Sequence, residues 1–198
     1  MMLAGISAAA QVNVGAGYIN SVYKTKVSNT KTTSPSNGFY AGVDYNIPIV
    51  GGLGMAPGIY YTLTSSTETS SIGTWLTGTG TTTEMYIGVP VNFNYAVEVA
   101  DGIKGFIFAG PTFNVGISSK YKASGAIAGI SATKTTDMYK DNDYSRFEML
   151  LGGGIGLQYN AFRLTVGYDA NLLNRYTGDV SDYTVGRNQL HVGLGYSF

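Results

Sequence analysis

The stretch Thr83-Glu84-Met85-Tyr86-Ile87-Gly88-Val89-Pro90-Val91-Asn92-Phe93-Asn94-Tyr95 decides the fold. Met85, Ile87, Val89, Val91, Phe93 and Tyr95 share one parity, while Glu84, Tyr86, Gly88, Asn92 and Asn94 share the other. Successive side chains of a strand point to opposite faces, so this is a strand with one apolar and one polar face. Segment 147–159 repeats the pattern, with Phe147, Met149, Leu151, Ile155, Leu157 and Tyr159 against Glu148, Gly152, Gly154, Gly156 and Gln158. Segment 162–172 and the terminal run through Leu190, Val192, Leu194, Tyr196 and Phe198 do the same. Weaker versions at 12–23, 39–47, 53–63 and 105–117 bring the expected strands to eight.

The joins between these segments alternate in length. Those near 47–53, 97–104 and 160–161 are short, whereas 24–37, 64–81, 118–145 and 174–186 are long and polar. An even number of strands, with short turns at one end and long loops at the other, is the plan of an outer-membrane barrel. The expected fold is therefore all-β, an eight-stranded antiparallel up-and-down transmembrane β-barrel with short periplasmic turns and long extracellular loops. Pro57, Pro90 and Pro111 fall inside expected strands, and proline lacks a ladder donor. Bulges or locally broken pairing are expected there.

The faces are told apart by charge. Charged residues are 12% of the 198-residue chain, balanced at 12 basic and 12 acidic. A soluble domain carries about 25%. Eighteen of the 24 charges fall in expected loops, turns or strand ends; the other six are Asp44, Glu84, Glu148, Arg163, Asp169 and Arg187. All six lie opposite the apolar residues. A charge facing the bilayer midplane costs about 2–4 kcal/mol, so the apolar face points to lipid and the charges point inward. Tyr45, Phe93, Tyr95, Tyr159, Phe162, Tyr196 and Phe198 lie towards the short turns, and Tyr18, Phe39, Tyr61, Phe113 and Phe147 towards the long joins. These read as two interfacial aromatic belts.

Several function classes are excluded or left without support. No basic stripe exists for nucleic acid, and no Cys for disulfides, thiolate metal sites or a cysteine nucleophile. Gly152-Gly153-Gly154-Ile155-Gly156 has the wrong spacing for a phosphate loop; its glycines are expected to clear lumenal space for Arg and Tyr of neighbouring strands. Asp137, Asp141, Asn142 and Asp143 lack the Gly and terminal Glu of a calcium loop and read as a solvated acidic loop. No cofactor is expected. Residues 1–10, ending in Ala8-Ala9-Ala10, read as the remnant of a signal peptide, leaving 11–198 as the barrel domain.

The stretches Gly38–Pro48, Pro57–Tyr61, Met85–Tyr95, Gly110-Pro111 and the Gly-rich hairpin 147–172 together resemble the small, porin-like outer-membrane β-barrel proteins of Bacteroidota. The architecture is similar to OmpA- and OmpX-type barrels. The resemblance implies a place in the outer membrane of a Gram-negative cell. Tyr196 and Phe198 look like the C-terminal signal that such proteins present to the barrel-assembly machinery. It names no activity, because the family is functionally mixed.

An eight-stranded interior is only wide enough for side chains to fill. Asp44, Glu84, Glu148, Arg163, Asp169, Arg187 and His191 are therefore expected to form a lumenal polar network that plugs the barrel, rather than a conduction path. Four acids against two Arg call for another positive charge, from His191, or for a neutral acid. Partner binding, if any, falls to the loops 64–81 and 118–145, as in a scaffold or a subunit of a larger assembly. A narrow pore is the alternative. A lipid-modifying enzyme is the second alternative, which would have to use His191, the only histidine.

Overall fold

The computed structural model describes residues 11–72, 76–127, 130–141, 144–179 and 182–198. The expected signal remnant at 1–10 lies outside them, as do Asn142 and Asp143 of the acidic loop. The elements are β1 (Gln11–Val27), β2 (Thr30–Val50), β3 (Leu53–Ile72), β4 (Leu76–Ala100), β5 (Ile103–Ile127), β6 (Ile130–Asp137), α1 (Met138–Asp141), β7 (Phe147–Tyr159), β8 (Phe162–Asn171) and β9 (Tyr183–Ser197). Each strand pairs antiparallel with its neighbour, β4 also pairs β5, and β1 pairs β9. The eight strands β1–β5 and β7–β9 thus close a ring, and a closed ring leaves no free edge within lipid. The ninth strand, β6, pairs among the described residues only with the far end of β5.

The apolar parity faces out. Ile107, Ile155, Leu157, Leu194, Val166 and Phe93 are exposed, while Glu84, Tyr86, Glu148, Arg187 and Gln189 are buried. This core is polar because the hydrophobic solvent lies outside. Phe147 and Tyr159 bound the 13 residues of β7. At a rise of about 3.4 Å and a tilt of about 40°, such a strand advances roughly 30 Å along the barrel axis, enough for an apolar band about 25 Å tall. At the short-turn end, Phe162, Tyr196 and Phe198 stack edge to face with centroids 5.4 and 4.9 Å apart. Leu150, Phe106 and Phe108 depart from the simple pattern and point into the lumen, Leu150 fully buried.

Three of the four expected long joins are largely strand. Segments 24–37 and 64–81 are the far halves of the β1–β2 and β3–β4 hairpins, the first closed by Ser28 and Asn29. Segment 118–145 contains the end of β5, all of β6 and the single turn α1. These stretches are Ser- and Thr-rich, so they favour strands yet lack an apolar face by which alternation would mark them. Lys24, Lys26, Lys31, Glu68, Lys120, Lys122 and Lys134, expected in loops or strand ends, consequently sit in strands. Of segment 174–186, the described residues before Tyr183 are irregular apart from the bridge of Tyr176 to Tyr144.

Pro57, Pro90 and Pro111 each break the ladder locally without shifting register, whereas Pro35 sits in an unbroken ladder and the register shifts just after Pro48. The β2–β3 pairing jumps from Asp44↔Gly58 to Ile47↔Met55, skipping Tyr45 opposite Pro57 and Asn46 opposite Ala56. The β3–β4 pairing skips Gly58 opposite Pro90 and Ile59 opposite Val89. The β4–β5 pairing skips Val91 opposite Pro111 and Asn92 opposite Gly110. The three gaps adjoin, forming one oblique seam across four strands.

Candidate functional site in the lumen

The inward charges separate into layers. Nearer the far end, Arg187 of β9 donates from Nη1 to Glu84 Oε2 of β4 at 2.9 Å and from Nη2 to Glu148 Oε2 of β7. Its guanidinium lies 4.0 Å from the ring centroid of Tyr86. Glu148 also accepts from Asn114 Nδ2 at 3.1 Å and Asn171 Nδ2 at 3.2 Å. Glu84 further accepts from the Tyr23 hydroxyl, from Tyr139 at 2.6 Å and from Arg175 Nη2 at 2.5 Å. Side-chain exposure is 1% for Arg187 and Glu148 and 3% for Glu84. Charges this dry persist only when paired and hydrogen-bonded, and these are.

Arg175 and Tyr139 were not among the expected site residues, and both come from outside the strands. The Arg175 N–H donates to Val185 O at 2.9 Å, and its carbonyl accepts from Ser145 N at 2.8 Å, fixing the segment over the barrel mouth. Burial works against the Arg175 charge, but the Glu84 carboxylate outweighs it and holds the guanidinium above its ordinary range. Burial, reinforced by the same carboxylate, raises the Tyr139 phenol. Arg175 supplies one of the two positive charges by which the four inward acids outnumber Arg163 and Arg187; the remaining acid, Asp169, faces His191. Glu84 and Glu148 are thereby matched by Arg175 and Arg187.

Nearer the short turns, Asp44 of β2 accepts from Asn13 Nδ2 at 2.6 Å, Tyr60 Oη at 2.6 Å and Arg163 Nη1 at 3.2 Å. The Arg163 guanidinium also sits 5.0 Å from the Phe106 ring. Between these layers His191 Nδ1 lies 3.3 Å from Asp169 Oδ2, with the rings of Tyr40 and Phe108 at 6.1 and 6.3 Å. The seven expected lumenal residues therefore do not form one network. They make a four-charge cluster with Arg175, an Asp44–Arg163 pair and an Asp169–His191 pair. Tyr196 and Phe198 belong to none of the three and lie exposed on the outer surface at the short-turn end.

The Gly-rich run serves space, but for different residues than expected. A Cβ on Gly156 would strike the Phe106 ring, on Gly154 the Phe108 ring and the Val166 carbonyl, and on Gly152 the Asp169 side chain. Between the charged layers is a cavity of about 160 Å³, lined by Tyr40, Tyr60, Phe106, Phe108, Asn92 and His191 among others. Among the described residues no group of His, Cys, Asp and Glu is arranged to hold a metal ion.

A closed antiparallel ring with an apolar outer wall and a polar lumen defines a transmembrane barrel. The chain belongs to the family described as outer membrane protein beta-barrel domain, which matches residues 6–176. It is an integral protein of the outer membrane. Among solved structures it is similar to Ail, the attachment invasion locus protein of Yersinia pestis, at 15% identity and TM-score 0.46, covering 96% of this chain and 99% of that one. Neisserial surface protein A matches at 19% identity and TM-score 0.46, covering 94% of this chain and 97% of that one. The N-terminal β-barrel domain of Pseudomonas aeruginosa OprF matches at 11% identity and TM-score 0.29, over 92% and 97%. No curated protein matches.

Proposed function

We propose that this is a non-enzymatic outer-membrane barrel whose lumen is plugged and whose work is done by the structure it raises above the membrane. The observation that carries the reading is the Glu84–Arg187–Glu148 bridge. One guanidinium links strands on different sides of the ring with almost no solvent reaching it, and Arg175 and Tyr139 seal it from above. An ion entering the lumen would have to displace this cluster and leave buried charges unpaired.

Partner binding then falls to the far end. There β3, β4, β5 and β6 form a sheet in which, among the described residues, β6 pairs with β5 alone. A free edge of this kind accepts an added strand from a partner. This suits a scaffold or a subunit of a larger assembly, engaging through 64–81 and 118–145. The other partners in this reading are outer-membrane lipid along the wall and the assembly machinery at Tyr196 and Phe198. Assignment to a Bacteroidota-type, Gram-negative protein rests on the residue resemblance given above.

Planar-bilayer recording tests the plug. The wild type is expected to be silent, and Arg187→Ala combined with Glu84→Ala to pass small steady currents. Steady unitary currents in the wild type that vanish on lumenal substitution would overturn it. Recovery of a partner that is lost on removal of 118–145 with the barrel intact supports scaffolding; no loop-dependent partner in native membranes refutes it.

A further inference from the structure

We propose that the cavity between the two charged layers is a binding site for a small, membrane-partitioned aromatic molecule that enters sideways, through the proline seam in the wall. The inference goes beyond the plugged-barrel reading and rests on it only in taking the top of the cavity as closed.

Three observations converge. Each end of the cavity is crossed by polar bridges: the Arg187 cluster on one side, and Asp44 with Asn13, Tyr60 and Arg163 on the other. Asn94 Nδ2 donating to Asn46 Oδ1 at 2.9 Å adds to the lower barrier. The wall, by contrast, is weakened at the same level, where the ladder skips two pairs at each of three adjacent interfaces. The cavity lining includes the seam residues Ala56, Pro90 and Asn92, with Gly88 beside them. The third observation is bulk. Of the inward positions in the seam, Ala56, Gly58 and Gly110 carry little or no side chain and Gly88 flanks them, so Asn46, Pro90 and Asn92 are the groups a ligand has to pass.

Proline explains why such a passage persists. A missing donor prevents the two strands from closing their ladder, and three in succession keep one locus of the wall open to separation while the rest stays stitched. The cavity sets the ligand class. A cavity of about 150 Å³ accommodates benzene, and this one is about 160 Å³. Tyr40, Tyr60, Phe106 and Phe108 offer ring faces and edges, and Asn92 and Asn94 offer hydrogen bonds. That combination fits a single ring carrying one polar substituent, as in a phenol.

The test uses para-fluorophenol, the full chain in lipid nanodiscs and fluorine NMR. A saturable bound resonance is expected, and it should disappear in Gly88→Leu and in Ala56→Trp, which fill the cavity. Ile59→Cys with Val89→Cys places a staple across a skipped pair. Its oxidised form is expected to slow ligand exchange roughly tenfold or more with the dissociation constant unchanged, and reduction to reverse this. Replacing Pro57, Pro90 and Pro111 together by Val restores the donors and is expected to slow exchange without any cysteine. No saturable resonance in folded wild type overturns the site. Exchange indifferent to both the staple and the proline replacements overturns lateral entry and assigns access to the short-turn mouth. Conductance is measured separately, so a wild-type channel would fail the plug while leaving these outcomes legible.

Discussion

Arg187 Nη1 stands 2.9 Å from Glu84 Oε2, joining the last strand of the ring to the fourth across the barrel interior. The same guanidinium holds Glu148, so its loss strands two carboxylates unequally. Glu84 keeps Arg175, whereas Glu148 keeps only Asn114 and Asn171. Arg187→Met is expected to destabilise the barrel by about 3–5 kcal/mol, the usual cost of leaving a buried charge unpaired. Arg175→Gln should cost less. Denaturant unfolding in lipid vesicles compares the two, and equal effects would refute the ranking.

Val166 lies on the outer face of β8 and is 39% exposed. Val166→Arg is expected to cost about 2–4 kcal/mol if that face meets the middle of the bilayer. Lys26→Ala, in the far half of the β1–β2 hairpin, should be close to neutral. Refolding into bilayers followed by gel mobility with and without heating provides the readout. A tolerated arginine at Val166 would mean that this face does not contact hydrocarbon.

Two strand glycines should behave oppositely. A Cβ at Gly154 would press on the Phe108 ring and on backbone, whereas at Gly125 nothing lies within 4 Å. Gly154→Ala is expected to destabilise by about 1–3 kcal/mol through overpacking. Gly125→Ala is expected to be neutral or slightly stabilising, since glycine weakens a strand. Unfolding midpoints distinguish them.

The docking of α1 should be alkali-sensitive. Tyr139 donates its hydroxyl proton to Glu84, and its phenol is raised by burial and by that carboxylate. A raised value in the folded state favours the protonated form. The contribution is therefore complete below the ordinary phenol value of about 10 and is lost as pH climbs above it. Hydrogen exchange of residues 138–141 is expected to accelerate above that point in the wild type. In Tyr139→Phe it should already be fast at neutral pH, with no further step at alkaline pH.

The sequence makes the membrane-embedded wall legible because lipid enforces it. An outward charge is costly there, so parity survives from Met85 through Tyr95 and from Phe162 through Leu172. Above the bilayer lipid no longer enforces an apolar face, and the Thr and Ser of 65–72 and 76–83 carry no parity although they pair as regularly as the rest. The lumenal site was legible only for residues on strands. Arg175 belongs to Leu172-Leu173-Asn174-Arg175-Tyr176, where no periodicity indicates direction. The surplus of inward acids was the one sign that a cation was missing. His191 or a neutral acid is the sequence's answer to that surplus; the structure sets His191 against Asp169, one of the four acids, and adds Arg175 at Glu84.

The pairing of β1 with β9 also sets an order of events. Ser197 Oγ donates to Asn13 Oδ1 at 2.6 Å across a separation of 184 residues, and the Phe198 N–H donates to Val12 O at 2.9 Å. Until the final strand is in place, β1 and β8 each present an unsatisfied edge, a hazard both in lipid and for pairing with other chains. A chain shortened by a few residues at its end would lose these outermost stitches at a single stroke. The residues of β9 thus determine whether the strands before them become a cylinder or an open, adhesive ribbon.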